Sequence, residues 1–489
     1  MSLVFFLLLP IASMVGVLMA WRQPRVQAWI CWGMAIAAML GAGWLVAAPP
    51  MAPYAVGGWP APFGIELMAD GLSRVMVALT GVIFAASATY HLAQTLADAP
   101  MTRNPVYHLT FPLLLLALNG LFLTADFFNF YVFFELLAVS SYLLVSLGKH
   151  APLEAAWKYS AQSVLGSVCL LIGTVLLYGE TGALGMAEVA SRLPGPALWS
   201  APLLLAAFFL KGAVFPFHFW QPDAHAASTT AGSVILAGLL IKVGMYALLR
   251  FWPLLLGTEL QGIFVVVGAV SIAFGAVAAW RQMDTKRLLG FSSVSQLGFV
   301  VLAMGWGTSA ALGAAIFYMV AHSLAKALLF LTTGALSDRL TSTRLEALEG
   351  AGRAFPWLAG AYLLGVLSLA GFPPTVGFIA KLGVLRAGAD AAAWGWVAIV
   401  AVGGLLTLAY GGRMFIKLFW RSPVTEGPLR PLGLGHRAAI GGMAALVMGV
   451  GLFAQPLYTH CVASGAELLA PPKPAVADQE EAAWRGGAP

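Results

Sequence analysis

Fourteen apolar stretches follow one another along this chain, and each is near the length that crosses a bilayer. They lie near 2–20, 27–48, 72–95, 105–124, 127–147, 160–179, 201–228, 231–251, 260–280, 288–305, 309–336, 357–386, 393–418 and 438–458. About 20 residues span hydrocarbon as a helix, and without a closed barrel only helices satisfy their own backbone there. The ten-residue alternation of an outer-membrane barrel is absent. Charged residues make up 9% of the chain and the mean hydropathy is +0.86, whereas soluble domains carry about 25% charged residues. The sequence therefore predicts an all-α integral membrane protein of about 14 transmembrane helices. The first stretch lacks a basic n-region and a clear A-x-A site, and is read as a retained helix. Cys31, Cys169 and Cys461 lie far apart, with no zinc or iron–sulfur spacing. No P-loop, dinucleotide fingerprint or large soluble domain is visible. No metal or other cofactor is expected, and the chain reads as a transporter subunit rather than an enzyme.

Loop charges give an orientation. Arg22, Arg25, Arg103, Lys149, Lys158, Arg281, Lys286, Arg287, Arg339, Arg344, Arg353, Lys417, Arg421, Arg430 and Arg437 follow or flank alternate spans. The opposite loops, such as "APPMAPYAVGGWPAPFG", are nearly free of Lys and Arg. Cytoplasmic loops carry the basic excess, so both termini are expected outside the cytoplasm. The net charge of +6 sits in these short loops and does not point to nucleic acid. The Pro-rich polar stretch 471–489 reads as a disordered tail.

Several ionisable residues sit where hydrocarbon should be. Glu135 lies inside "FNFYVFFELLAVSSYLLV", Lys211 inside "LLLAAFFLKGAVFPFHFW" and Lys242 inside "VILAGLLIKVGMYALLRF". His322 and Lys326 share a helical face in "MVAHSLAKALLFLTTGAL", and Lys381 lies in "GFPPTVGFIAKLGVL". A charge at a helix centre costs about 2.5–3.5 kcal/mol on insertion scales, so such groups face protein or water and mark ion paths. Snorkelling suits Arg250 and Lys417, near helix ends, better than Lys211 or Lys242. His218, His225, Ser140, Ser292 and Gln296 are accessory candidates. Ser141, Ser293 and Ser295 could also hold waters, but packing is the commoner use of such hydroxyls.

Two spans are interrupted. Pro216 and Pro222 fall in the seventh, and Gly371, Pro373 and Pro374 in the twelfth. Broken helices at membrane depth line cavities or pack in protein. Breaks five helices apart, each beside a lysine, predict two inverted five-helix repeats over 105–251 and 260–418. A three-helix segment over 1–104 precedes them, and a cytoplasmic loop and last helix over 419–470 follow.

The stretches "DFFNFYVFFELLAVSSYLLV", "FFLKGAVFPFHFWQPDAHAAS", "LAGLLIKVGMYALLRF", "DTKRLLGFSSVSQLGF", "FYMVAHSLAKALLFLTTGAL" and "LAGFPPTVGFIAKLG" cover about 105–420. On them the chain resembles the antiporter-like subunits of proton-translocating NADH–quinone oxidoreductase, membrane-bound hydrogenases and Mrp cation/proton antiporters. "GGWPAPFGIELMADGLS" looks most like the D-type member of the Mrp set. The resemblance implies fourteen helices with the seventh and twelfth broken. It also implies proton-translocating roles for Glu135, Lys211, Lys242, His322, Lys326 and Lys381, with Glu135 and Lys211 as a switching pair. After "PDAH" this chain continues "AAST" where many relatives have an acidic residue and a proline.

The expected function is ion translocation in a multisubunit Mrp-type monovalent cation/proton antiporter of the bacterial inner membrane. Other membrane subunits would be its partners, and protons and a monovalent cation, sodium above all, its cargo. The alternatives are a proton-pumping subunit of a redox complex and a stand-alone secondary transporter.

Overall fold

The computed structural model describes residues 2–59, 64–148, 152–193, 199–252, 260–422 and 431–470. The expected tail over 471–489, Lys149 and Arg430 lie outside these residues. The helices are α1 Phe5–Met19, α2 Pro24–Ala47, α3 Gly71–Leu96, α4 Pro105–Leu123, α5 Phe127–Ser146 and α6 Pro152–Thr181. After a short surface helix come α7 Ala201–Lys211, α8 Trp220–Ala227 and α9 Thr230–Arg250. The second half holds α10 Gln261–Arg281, α11 Thr285–Met304, α12 Ser309–Leu340, α13 Pro356–Ala370, α14 Val376–Asp390 and α15 Trp394–Trp420. The chain ends in α16 Leu434–Leu452 and α17 Ala454–Leu469. The sheet structure described is one antiparallel pair, Tyr54–Ala55 with Glu66–Leu67.

Eleven of the described helices are long and apolar enough to cross a membrane, and α1, α7 and α13 are shorter apolar helices. Together they account for the fourteen expected stretches. The last crossing differs from the expected 438–458. It bends at Phe453 and runs on through α17. Gly451 abuts Pro374 and Thr375 at the break of the twelfth span, while Gly465 abuts Gly313 on α12. The polar residues Thr459, His460, Ser464 and Glu467 hide this continuation in the sequence. In the fold Ser464 is buried and Glu467 accepts from the Gly71 amide at the start of α3.

The inverted repeat is legible in backbone detail. Asp126 caps α5, accepting from the Asn129 amide at 2.6 Å, and Asp284 caps α11, accepting from the Arg287 amide at 2.9 Å. Each capping aspartate also bridges the strand-like segment that follows the next long helix, Asp126 with Gly185 and Asp284 with Arg344. An Asp at the cap satisfies an otherwise orphaned helix-terminal amide, so the same local chemistry starts the same helix in both repeats.

Two helices sit at the centre. The most apolar 18-residue windows of α9 and α12 are wholly buried, whereas those of α6, α15 and α16 are less than half buried. Close approach permits this. A Cβ on Gly244 of α9 would stand 2.4 Å from the Gly212 amide and the Phe208 carbonyl, so only glycine lets α9 lie against the end of α7. Of the loop charges, Arg25, Lys158, Arg287 and Arg421 form the pairs Arg25–Asp98, Lys158–Asp223, Arg287–Asp223 and Arg421–Glu349 at the helix ends where the sequence places its basic loops.

Candidate ion-translocation site

Lys211 is the last residue of α7 and is only 3% exposed. The break beyond it is built by Gly212, Ala213 in the left-handed region and Pro216. Pro222 takes no part in the interruption. It lies in the first turn of α8, where a helix has no amide bond to lose. The Trp220 indole donates to the Leu210 carbonyl at 3.0 Å, satisfying one of the carbonyls that the break orphans. The Lys211 Nζ donates to the Tyr159 hydroxyl at 3.3 Å and lies 4.9 Å from the centre of the Phe134 ring. Tyr159 in turn shares a 2.6 Å hydrogen bond with Ser141 and stacks on Trp220. Glu135 follows Phe134 directly and is half-buried. It bears on Lys211 through space, but the two make no ion-pair contact. The structure thus describes the pair apart, with the lysine turned to tyrosine.

The second break has its own lysine. Gly371 ends α13 at φ 87°, a conformation that glycine adopts without strain, and Pro373 and Pro374 follow. Lys381 lies on α14, after the break. Its Nζ donates to the Tyr318 hydroxyl at 2.9 Å and sits 3.7 Å from the centre of the Phe299 ring. Tyr318 donates to the Gln296 amide oxygen at 2.7 Å, and the Gln296 amide nitrogen donates to Thr407 and Tyr410. Tyr159 stands 26 residues before Gly185, and Tyr318 26 before Arg344, the bridge residues of the two repeats. Each broken-helix lysine therefore meets the same tyrosine and an aromatic ring from the capped helix. An ammonium over such a ring gains cation–π attraction that strengthens when both are desolvated. Sequence reading missed both tyrosines, since a lone tyrosine in a span carries no signal. Only the repeat register exposes them.

The remaining residues meet between the breaks. Residues Leu236–Leu240 of α9 form a π-turn, a device often found at functional sites. Lys242, just beyond it, donates to the Ala237 carbonyl, and Ser323 donates to the Gly238 carbonyl at 2.7 Å. Lys326 donates to the Leu289 carbonyl at 2.7 Å and to Ser292. His322, one turn earlier on α12, has both ring nitrogens buried without a partner among the described residues, and so does His225 on α8. Lys242, Lys326, Lys381 and His225 all bear electrostatically on His322. Three lysines and a histidine thus act through space on one imidazole.

Other expected residues take quieter places. Ser140 and Ser293 bond back into their own helices, and Ser295 ties α11 to the Ile272 carbonyl. His218 is buried against Phe215 within the first break. Arg250 does not snorkel. It is buried, forming a two-pronged ion pair with Asp70 and a 2.8 Å bond to Ser73, which clamps α9 to the start of α3. Lys286, expected among the loop charges, is also buried, donating to the Ser228 carbonyl at 2.6 Å.

Residues 124–407 match the family model described as "NADH:quinone oxidoreductase/Mrp antiporter, TM". That match covers more than half of the chain, and it includes Glu135, Lys211, Lys242, His322, Lys326 and Lys381. The chain belongs to this family. Among NADH:quinone oxidoreductase/Mrp antiporter proteins it is 32% identical to the D component of the Na(+)/H(+) antiporter of Alkalihalophilus pseudofirmus, over 85% of this chain and 86% of that one. It is also 32% identical to the N component of the NADH-quinone oxidoreductase of Desulforudis audaxviator, over 84% and 85%. A chain of the Mrp complex from Dietzia superposes with a TM-score of 0.87 at 26% identity, covering 96% of this chain and 97% of that one. A chain of respiratory complex I from Thermus thermophilus superposes at 0.76, also with 26% identity, over 93% and 98%. Members of the family therefore occur in both kinds of assembly, and the fold of this chain is common to both.

Proposed function

We propose that this chain is an ion-translocating subunit of a multisubunit Mrp-type monovalent cation/proton antiporter. The observation that carries the reading is the run of buried proton-exchanging groups from Lys211 through Lys242, His322 and Lys326 to Lys381, set between two broken helices. The names of the relatives favour antiport, and two of them, named for Na⁺/H⁺ exchange, support Na⁺ as the cation, beside one named for K⁺. The boundaries 105–251 and 260–418 delimit the two working halves, and the basic end of the bundle is the cytoplasmic one, which leaves both termini outside. The chain acts as a transporter subunit without bond-making chemistry of its own, in a bacterial inner membrane and among other membrane subunits.

Glu135 and Lys211 form the switch. When the ammonium approaches the carboxylate it is held charged. At about 4 Å and an effective dielectric near 20 that attraction is about 4 kcal/mol. When it swings to Tyr159 that attraction is lost, and a proton is released toward Lys242. His322, with two open nitrogens, takes protons from the lysines around it and passes them on to Lys381. A second reading, proton pumping within a redox complex, draws on the likeness to the N component of NADH-quinone oxidoreductase and uses the same residues. The test is to purify the assembled complex from its native operon, reconstitute it and add Na⁺, K⁺ or Li⁺ under a pH gradient. Cation-dependent proton movement without electron donors supports antiport. Proton movement only on adding a reductant and a quinone replaces it with the redox reading.

A further inference from the structure

A second buried pair of titratable groups lies on helices other than the two broken ones. His91 on α3 and His108 on α4 are fully buried, and His91 Nε2 lies 2.9 Å from His108 Nδ1. His108 Nε2 is 2.8 Å from the Thr102 carbonyl oxygen. A carbonyl only accepts, so His108 Nε2 carries a proton. Neutral His108 then offers Nδ1 as an acceptor, and His91 donates from Nε2. What remains is the lone pair on His91 Nδ1, buried with no partner among the described residues. One carbonyl thus fixes the tautomer of both rings and leaves the pair polarised. It has an open acceptor at one end and, at the other, an N–H aimed at the turn Pro100–Arg103 on the basic end of the protein.

The surroundings lead from this pair to the centre. Tyr107, edge-on to His91, shares a 2.6 Å hydrogen bond with Thr229, the residue that caps α9. Next to it the Ser228 carbonyl accepts from Lys286, and Ser233 donates to the His225 carbonyl. Cys31 packs on the pair, its thiol donating to the His108 carbonyl, and the neighbouring α3 residues Tyr90 and Gln94 donate to Asp338, which also accepts from Thr230. Buried polar groups are nearly always satisfied. An imidazole pair with an open acceptor at one end and an N–H donor at the other has the form of a relay.

We propose that His91 and His108 relay protons between the central Lys/His group and the basic face, along α3 and α4, a branch separate from the two broken helices. The proposal rests on the translocation reading above. In one passage His91 Nδ1 takes a proton and His91 Nε2–H passes to His108 Nδ1. His108 Nε2–H then leaves to solvent water at the Thr102 turn. One proton moves, both rings end neutral in the opposite tautomer, and a ring flip or the reverse hop resets them.

The test uses the assembled complex, with cation-driven proton movement normalised to the amount of complex. His108→Gln keeps an N–H for Thr102 and an oxygen for His91, so it preserves a structural contact, but an amide does not relay protons. Exchange should fall at least fivefold in His108→Gln and in His91→Gln. The double variant should be no slower than the slower single, because the two act in series. A wild-type rate in either assembled Gln variant overturns the relay, and so does a double variant whose losses multiply. Failure of the translocation reading looks different, because Lys211→Ala would then exchange at the wild-type rate.

Discussion

In the first repeat the lysine at the break ends the half-helix before it, and in the second Lys381 lies on the half-helix after it. The frames agree otherwise, from the capping Asp126 and Asp284 to the tyrosines Tyr159 and Tyr318. What they hold does not. Nine residues beyond the cap stands Glu135 in one repeat and Ser293 in the other. Eighteen residues before the bridging residue stands Ser167 in the first and Lys326 in the second, and twenty-two before it Ser163 and His322. At these matched positions the first repeat has the carboxylate and small hydroxyls, and the second has the bases. Among the described residues Glu135 is the charge that bears on Lys211, whereas His322 feels four cationic or basic neighbours. On the proposed function one frame serves two tasks: the acid–base pair in the first repeat responds to an outside charge, and the cluster around His322 stores and passes protons. A half-exposed carboxylate at mid-span is costly against lipid, so protein or water covers the face that bears Glu135.

The comparison breaks most directly at the two lysines. Lys211→Ala and Lys381→Ala should each lower cation-driven proton movement by more than about tenfold, or about 1.4 kcal/mol in the barrier, with the complex still assembled. Equal activity of either variant and the wild type would show that its repeat is only a scaffold. Lys242→Arg sharpens the point, since a guanidinium keeps the charge but holds its proton at any attainable pH. It should be nearly as slow as Lys381→Ala, and a wild-type rate would reduce Lys242 to a fixed field.

Smaller effects follow from geometry. Gly371→Ala forces a side chain into φ 87° and sets its Cβ 2.6 Å from the Lys381 chain. Such strain costs about 1–3 kcal/mol, and transport should drop several-fold through displacement of Lys381. Unchanged transport would mean that Lys381 need not keep its place over Phe299. Tyr318→Phe removes the acceptor of Lys381 and the donor to Gln296, and Tyr159→Phe the acceptor of Lys211 and the bond to Ser141. The Lys381 contact is the shorter of the two, 2.9 against 3.3 Å, and Gln296 carries the network on to Thr407 and Tyr410, so Tyr318→Phe should slow exchange more, read from initial rates in liposomes. The smallest change, under about twofold, is expected for Lys417→Ala, near the basic end of α15.

Much of this was legible in the sequence because hydrocarbon makes strict demands. Thirteen of the fourteen stretches, both breaks and the five buried bases lie where apolar periodicity and misplaced charge put them. What escaped depends on partners remote in sequence. Arg250 and Lys286 look like loop or end charges until Asp70 and the Ser228 carbonyl are seen beside them. The bend at Phe453 was hidden because α17 carries polar residues, of which His460, Ser464 and Glu467 pack at the start of α3. Tyr159, Tyr318 and the His91–His108 pair are ordinary residues in apolar helices, and only packing gives them work.

The central claim is that the carboxylate of the first repeat controls proton release into the second. Glu135→Gln tests it, because the amide keeps the size and polarity of the side chain and removes only its charge. The measurement is the initial rate of Na⁺-driven proton movement by the assembled complex in liposomes, for Glu135→Gln, Glu135→Asp and the wild type. The account predicts a fall of more than about tenfold for Gln and partial activity for Asp, at unchanged assembly. Wild-type exchange by the assembled Glu135→Gln complex would contradict it.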